Sequence, residues 1–206
     1  AVAGSFYPGD ARALGAEVRA LLAAAPSATG NVETLKALVV PHAGYVYSGP
    51  TAAAGYALLA PIRDRIRRVV LLGPTHRVAI RGLALPGVDA FETPLGTITV
   101  DAPAVASLAD LPQVVTSAAA HAQEHSLEVH LPFLQTVLGE FTLVPLAVGH
   151  ASPDDVAAVL DRLWGGPETL IVVSSDLSHY LPYATAVRTD RGTVGDILRL
   201  DPHVDH

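Results

Sequence analysis

The chain has 206 residues, of which 50% are hydrophobic, and it carries a formal net charge of −7 at pH 7. This length suits one domain, and the apolar content is ample for a large buried core. The negative charge argues against nucleic acid and against an anionic membrane surface as the main partner. The absence of cysteine excludes disulfides and thiolate metal ligands within these residues.

The start of the chain does not resemble a signal peptide. The first residues have no basic region and no apolar run, and no apolar stretch reaches the ~20 residues that a spanning helix needs. We therefore expect a cytoplasmic protein with one domain over residues 1–206. The missing initiator Met and the uncapped last residues predict that both ends are trimmed. Only 16% of the residues are charged, which is compatible with a homo-oligomer in which another subunit covers part of the surface.

The first elements alternate between helical and strand patterns. Residues 10–25 predict a helix with Asp10 as its N-cap. A buried strand at 37–40 is followed by Pro50, which suits the first turn of an Ala-rich helix through Leu59. A second buried strand is predicted at 68–72.

The remaining elements continue this alternation. Strands are predicted at 81–85 and 96–100, around a turn that contains Pro and Gly, and at 141–148 and 169–173. Helices are predicted at 126–138, at 152–164 with Ser152 as the cap and Pro153 at the first position, and at about 182–200. Pro132 either kinks the first of these helices or marks its start. Continuous apolar strands alternating with helices predict an α/β fold with a mainly parallel central sheet and helices on both faces.

Four of these strands end in histidine or aspartate. They lead into His42, His76, His150, and Asp176 followed by His179. Ligands of open α/β sheets bind beyond the carboxyl ends of the strands. One loop histidine is usually solvated or hydrogen-bonded, but several at one edge indicate a shared polar cleft. Two histidines with a third ligand also describe open non-haem iron and catalytic zinc sites.

The segment 121–130 holds the densest cluster of such residues. It contains H-x-x-E-H, the inverted zinc-protease pattern, in which His121 and His125 would share a helical face and Glu124 would activate water. The alternative is a polar helix start, at which Glu124 and Glu128 favour the positive end of the helix dipole. A third interpretation places the segment in the lining of the cleft.

Other mechanisms find no motif in the chain. The phosphate-binding P-loop, the dinucleotide-binding G-x-G-x-x-G and the G-x-S-x-G of serine hydrolases are all absent. Four tyrosines flank the candidate loops, namely Tyr7, Tyr45, Tyr47 and Tyr180. They either line a ligand pocket or are packed with their hydroxyls satisfied.

Five motifs, in order and spanning nearly the whole chain, carry a specific resemblance. They are Ala3-Gly4-Ser5-Phe6-Tyr7-Pro8, Pro41-His42-Ala43-Gly44-Tyr45, Leu72-Gly73-Pro74-Thr75-His76, Glu124-His125-Ser126-Leu127-Glu128 with His130-Leu131-Pro132-Phe133, and Val173-Ser174-Ser175-Asp176-Leu177-Ser178-His179-Tyr180. Together they resemble the Memo family, whose prokaryotic members are called AmmeMemoRadiSam system protein B. That fold is similar to class III extradiol dioxygenases, which are non-haem iron enzymes.

The resemblance implies a ligand set. His42 and His76 match the two metal-binding histidines, which implies Fe(II) or copper. His179 falls where the dioxygenases place their acid–base histidine, with Asp176 beside it. The carboxylate ligand of the dioxygenases is replaced in Memo proteins by a Cys of a later segment. This chain has no Cys, so the third ligand stays unassigned.

Three hypotheses follow. The first is a metal-binding protein or redox enzyme of unknown substrate, in which His42 and His76 hold the ion while Asp176 and His179 position a substrate or move a proton. The second is a non-catalytic module that binds a peptide or small ligand. The third is metal-dependent hydrolysis. The predicted cleft lining comprises Tyr45, Glu124, His125, His130 and Tyr180.

Overall fold

A six-stranded sheet organises residues 1–175, one of the two compact units into which the chain divides. The computed structural model describes residues 1–27 and 32–200. The strands of this sheet and of a separate hairpin are β1 (Ala37–Val40), β2 (Arg68–Pro74), β3 (Leu83–Leu85), β4 (Ala90–Thr93), β5 (Gly96–Thr99), β6 (Val114–Thr116), β7 (Thr142–Val148) and β8 (Thr169–Ser174).

The central sheet has the strand order β1-β8-β2-β7-β3-β6. All neighbours run parallel except β3 and β7, which are antiparallel. The last strand in sequence, β8, therefore lies between β1 and β2. The predicted α/β class with a mainly parallel sheet is confirmed.

Helices cover the sheet on its two faces. Those of residues 1–175 are α1 (Ala11–Ala24), α2 (Tyr45–Ala57), α3 (Ala102–Ala106), α4 (Ala118–Ala122), α5 (Leu131–Leu138) and α6 (Pro153–Leu163). Side chains of a strand alternate between faces. Val69 and Leu71 of β2 accordingly pack in a cluster with α1, α2 and α5. Val70 and Leu72 pack in a second cluster with α3 and α6.

The predicted helix caps are confirmed. The Asp10 side chain accepts a hydrogen bond from Ala13 N at 2.8 Å, which fixes the start of α1. Ser152 and Asp155 form a capping box at α6, with Pro153 in its first turn. Each cap satisfies amide groups that the helix leaves without an internal partner.

The expected start of α2 at Pro50 is wrong. The helix begins at Tyr45, directly after the His42 loop, and Pro50 is its sixth residue. A proline at this position leaves the carbonyl four residues earlier without its helical donor. That residue, Val46, is 82% exposed, so water can take the place of the donor.

Two further expectations need correction. Residues 126–138 are not one helix, because a 3-10 turn at Glu128–His130 precedes α5, where Pro132 is the second residue. The predicted strands at 81–85 and 96–100 do not pair with each other. Instead β3 joins the central sheet, and β5 forms a hairpin with β4.

The second unit begins at Asp176, and its main element is α7 (Tyr183–Leu198). Asp190 in this helix accepts a hydrogen bond from Ser178 N at 2.9 Å, which ties the segment before the helix to its middle. The predicted last helix at about 182–200 is thereby confirmed. Over residues 1–27 and 32–200, no helix combines the length and apolar character needed to cross a bilayer.

Asp101 connects the amino end of the sheet to the start of α3 through hydrogen bonds. Its carboxylate accepts hydrogen bonds from Arg68 Nε at 2.7 Å, Thr142 Oγ1 at 2.9 Å and Ala104 N at 3.0 Å. Burial by itself raises the pKa of Asp101, but the bonds from Arg68, Ala104 and Thr142 outweigh it and the net direction is downward. The ionised carboxylate therefore stabilises the folded state.

We expect Asp101→Ala to lower the free energy of unfolding by about 2–4 kcal/mol at pH 7, because a cap and bonds to a charged group are lost together. The folded-state pKa lies below the ordinary 3.8, so this contribution is complete above about pH 4 and is lost as the pH falls below it. Urea unfolding at pH 7 and pH 3 measures both effects. Asp64→Ala is the control, since that side chain is 97% exposed. An equal loss in both variants would contradict the assignment.

Candidate metal centre

Two strand ends bring His42 and His76 together. His42 follows β1 and His76 follows β2, and both strands end at the carboxyl edge of the sheet on either side of β8. Their ring centroids lie 5.2 Å apart. The predicted convergence of these two histidines is confirmed.

A third imidazole, that of His125, joins them. Its ring centroid lies 4.5 Å from that of His76, with the two rings nearly parallel, and 5.5 Å from that of His42. One ligand nitrogen from each of the three residues lies within 4.8 Å of the others. His125 was predicted to line the cleft, and the structure places it within the histidine cluster.

The His125 loop reaches this position because the next-to-last residue of β2, Gly73, is a glycine. A Cβ at Gly73 would lie 2.9 Å from both Leu127 Cδ2 and Ser126 Oγ, closer than real Cβ atoms approach. Ser126 Oγ also donates a hydrogen bond to Pro74 O at 2.7 Å. The loop is thus packed directly on the end of the strand that carries His76.

Glu124 holds the His76 side of the cluster. Its Oε1 accepts from His76 Nδ1 at 2.8 Å and from the amides of His125 and Ser126, while Oε2 accepts from His76 N at 2.6 Å. Burial by itself raises the pKa of Glu124, but the bonds from His76 and Ser126 lower it to about 2. An ionised carboxylate only accepts, so His76 Nδ1 carries the proton and Nε2 carries the lone pair.

Ser174 sets the tautomer of His42 in the same way. Its hydroxyl lies 2.6 Å from His42 Nδ1 and 2.6 Å from Ser126 O. The carbonyl can only accept, so the single hydroxyl proton goes to it and the oxygen accepts from His42 Nδ1–H. The lone pair of His42 is therefore on Nε2. Sequence reasoning missed Ser174, although it ends a buried strand directly before Ser175 and Asp176.

These donors fit a transition metal. Metal-bound histidines typically donate their second ring nitrogen to a carboxylate or another oxygen, as His76 and His42 do here. A tetrahedral site with His–metal bonds of about 2.1 Å needs nitrogen separations of roughly 3.4 Å. The separations within 4.8 Å are longer than this, so the rings would have to move closer together around a bound ion. Three neutral imidazoles would leave coordination positions for water or a substrate.

Two residues predicted to line the cleft lie in the packed core. Tyr45 is 4% exposed, and its hydroxyl donates to Val129 O at 2.7 Å. His130 is 1% exposed, and its Nδ1 lies 2.9 Å from the Tyr56 hydroxyl. Burial and then the neighbouring His42 lower the pKa of His130 to about 3, so it is neutral at pH 7.

The inverted protease pattern does not share a helical face. Helix α4 ends at Ala122, so His121 lies in the helix and His125 in the loop after it. His121 Nε2 lies 2.8 Å from Ala84 O, and burial lowers its pKa. The two histidines point to different partners, which removes the geometry that a hydrolase of this type needs.

Asp176, His179 and Tyr180 belong to the second unit. Within it, His179 Nε2 lies 4.0 Å from Asp176 Oδ2. Tyr180 has a left-handed backbone with φ of 57°. Their predicted place beside the three histidines stays a prediction.

The fold and the cluster define a class of protein. A mainly parallel α/β sheet presents, at its carboxyl edge, three histidines that can hold a metal ion. A family profile described as Memo-like protein matches residues 1–204, and the chain belongs to this family.

Curated relatives agree with that assignment. The chain is 36% identical to a MEMO1 family protein of Ignicoccus hospitalis over 98% of its own length and 75% of the relative. It is 36% identical to one of Aquifex aeolicus, with coverage of 98% and 74%, and 37% identical to one of Thermotoga maritima, with coverage of 98% and 77%. The resemblance drawn from the motifs is confirmed.

We expect Glu124→Ala to lower the free energy of unfolding of the metal-free protein by about 3–5 kcal/mol at pH 7, because a buried acceptor of four N–H groups is lost. The folded pKa of about 2 lies below the ordinary 4.5. The contribution is therefore complete above about pH 4.5 and declines as the pH falls toward 2. Denaturant unfolding between pH 7 and pH 3 measures it.

Glu140→Ala is the matched control, since Glu140 is exposed at the end of α5. Its unfolding free energy should change by no more than about 0.5 kcal/mol. A Glu124 variant as stable as this control would show that the carboxylate does not organise the loop.

Proposed function

We propose that this chain is a metal-binding protein with redox chemistry, in which His42, His76 and His125 hold iron or copper. The observation that carries the proposal is the group of three ligand nitrogens within 4.8 Å of one another. Imidazole ligands suit iron, copper and zinc, whereas magnesium and calcium prefer oxygen. The extradiol-dioxygenase resemblance of the family favours the redox-active ions among these.

Different residues of the chain have different roles in this proposal. The three histidines bind the ion, while Glu124 and Ser174 keep His76 and His42 in the tautomer that presents Nε2. A bound redox ion would supply electron transfer and Lewis acidity at the sheet edge. The substrate would be a small molecule or a peptide in the cleft.

Asp176 and His179 complete the proposal. We assign them the positioning of the substrate or the movement of a proton, on the strength of the family motif that contains them. Within the second unit, His179 Nε2 and Asp176 Oδ2 lie 4.0 Å apart, which is ion-pair range and longer than a hydrogen bond. Either residue can be replaced without altering the three proposed ligands, which separates substrate turnover from metal binding.

Metal affinity tests the ligand set. Removal of an outer partner of a metal ligand typically costs about 10–100-fold in affinity, so loss of a ligand should cost more. We expect His42→Ala, His76→Ala and His125→Ala each to weaken Fe(II) and Cu(I) binding by at least about 100-fold. Anaerobic competition titration of protein without a His tag measures this, and elemental analysis identifies the ion acquired in the cell.

His150→Ala is the control. His150 follows β7 at the same edge of the sheet, is exposed, and is outside the histidine cluster. The metal affinity of the His150→Ala variant should match that of the wild type. Equal affinity in the wild type and the His42→Ala, His76→Ala double variant would overturn the metal proposal and favour a non-catalytic binding module.

Ser174→Ala tests the tautomer argument without any metal. We expect the His42 ring to populate both neutral tautomers, because the oxygen that accepts from Nδ1–H is gone, and metal affinity to fall by about 10–100-fold. Ring ¹⁵N chemical shifts of the metal-free protein report the tautomer. Ser174→Thr keeps the hydroxyl and should keep the Nδ1–H form. An unchanged His42 tautomer in Ser174→Ala would show that another group fixes the ring.

A further inference from the structure

The N-terminal segment 2–7 contacts the candidate centre through Phe6. The Phe6 ring centroid lies 4.5 Å from that of His125, with 32° between the ring planes. His125 also contacts the rings of His76, at 4.5 Å, and His42, at 5.5 Å. The third proposed ligand is therefore packed by an aromatic residue that lies about 120 positions earlier in the chain.

The segment is a tight turn with a fixed shape. Gly4 N donates to Tyr7 O at 2.8 Å, and Phe6 N donates to Val2 O at 3.0 Å. Gly4 has φ of 83°, a left-handed conformation that favours glycine. Phe6 is consequently presented from a closed loop with internal hydrogen bonds.

Glu128 anchors this turn. Its Oε1 accepts from Val2 N at 2.9 Å and from the Tyr7 hydroxyl at 2.7 Å. Both side chains are buried, Glu128 at 8% and Tyr7 at 4% exposure. Burial raises the pKa of Tyr7, and the bond to Glu128 raises it further, so the phenol stays protonated and donates. Glu128 follows His125 by three residues, so the anchor and the ligand share one loop.

The segment also contacts the support of the first ligand. Phe6 O accepts from Tyr45 N at 2.8 Å, at the first residue of α2. Tyr45 follows His42 by three residues. One short segment thus forms hydrogen bonds to the start of the helix that follows His42 and to the Glu128 side chain, and it packs against the ring of His125.

We propose that residues 2–7 are a structural brace for the metal centre. In this proposal Phe6 is a positioning residue that keeps the His125 ring stacked on the His76 ring. The expected consequence of the brace is tighter metal binding, and this consequence rests on the proposed function. Its structural content, the orientation of His125, is independent of any ion. Short hydrogen bonds at Nδ1 hold His42 and His76. His125 Nδ1 lies 3.3 Å from Glu124 Oε1, and the packing of Phe6 on the His125 ring adds to this contact.

Two measurements on the full chain test the brace. In the metal-free protein, the nuclear Overhauser contact between the His125 and His76 rings should be clear in the wild type and at least severalfold weaker in Phe6→Ala. Zn²⁺ titration should show about 10–100-fold weaker binding in Phe6→Ala, the typical effect of removing an outer-shell support. Phe6→Tyr keeps the ring and should retain both properties.

Phe141→Ala is the matched control for stability. Phe141 is also partly buried against the same core cluster, but it precedes β7 at the opposite edge of the sheet. It should lose stability much as Phe6→Ala does and keep the ring contact and the Zn²⁺ affinity. A loss of both properties in Phe141→Ala as well would overturn the brace, because general destabilisation would then explain the result.

The two proposals fail in different ways. If the wild type binds neither Zn²⁺ nor any other ion, the metal function fails, and the ring contact in the metal-free variants still decides whether Phe6 orients His125. If the wild type binds Zn²⁺ and Phe6→Ala keeps both the ring contact and the affinity, the brace is wrong and the metal centre stands.

Discussion

The carboxylate of Glu124 is the interaction on which the histidine cluster depends. A carboxylate removed from water is costly unless its oxygens are satisfied, and this one accepts four N–H groups from His76, His125 and Ser126. These bonds join a loop to the end of a strand 48 residues earlier in the chain. The same oxygen that fixes the His76 tautomer also fixes the backbone that carries His125.

The strand order explains why the cluster has its present composition. Neighbouring parallel strands lie about 4.8 Å apart, so strands separated by one neighbour are roughly 10 Å apart. His42 and His76 extend from β1 and β2 over the end of the intervening β8, where Ser174 lies. The Ser174 hydroxyl meets His42 Nδ1 because β8 is inserted between the two earlier strands.

Aromatic residues of α2 and α5 pack together in the core. The fully buried Tyr56 stacks on Phe133 with ring centroids 5.2 Å apart and lies within hydrogen-bond distance of His130, and the Tyr45 ring lies 4.9 Å from that of Phe133. Each hydroxyl has a partner, as buried phenols require. These contacts join α2 to α5, the helices that follow the loops of His42 and His125.

The sequence by itself determined the local structure and two of the three histidines. The strand at Ala37–Val40, the Asp10 cap and the cap at Ser152 follow from patterns within a few residues. The alternation of apolar strands and helices gave the α/β class, because buried parallel strands need apolar residues on both faces. His42 and His76 were identifiable because strand ends and family motifs both mark them.

Only the tertiary structure decided the rest of the site. His125 became a candidate ligand because Gly73 lets its loop approach β2, and no pattern near His125 contains that information. Ser174 acquired its role from a contact across 132 residues, and Phe6 from one across about 120. The physical reason is that local patterns fix which elements form, whereas the order of strands and the packing of loops depend on contacts between residues far apart in the chain.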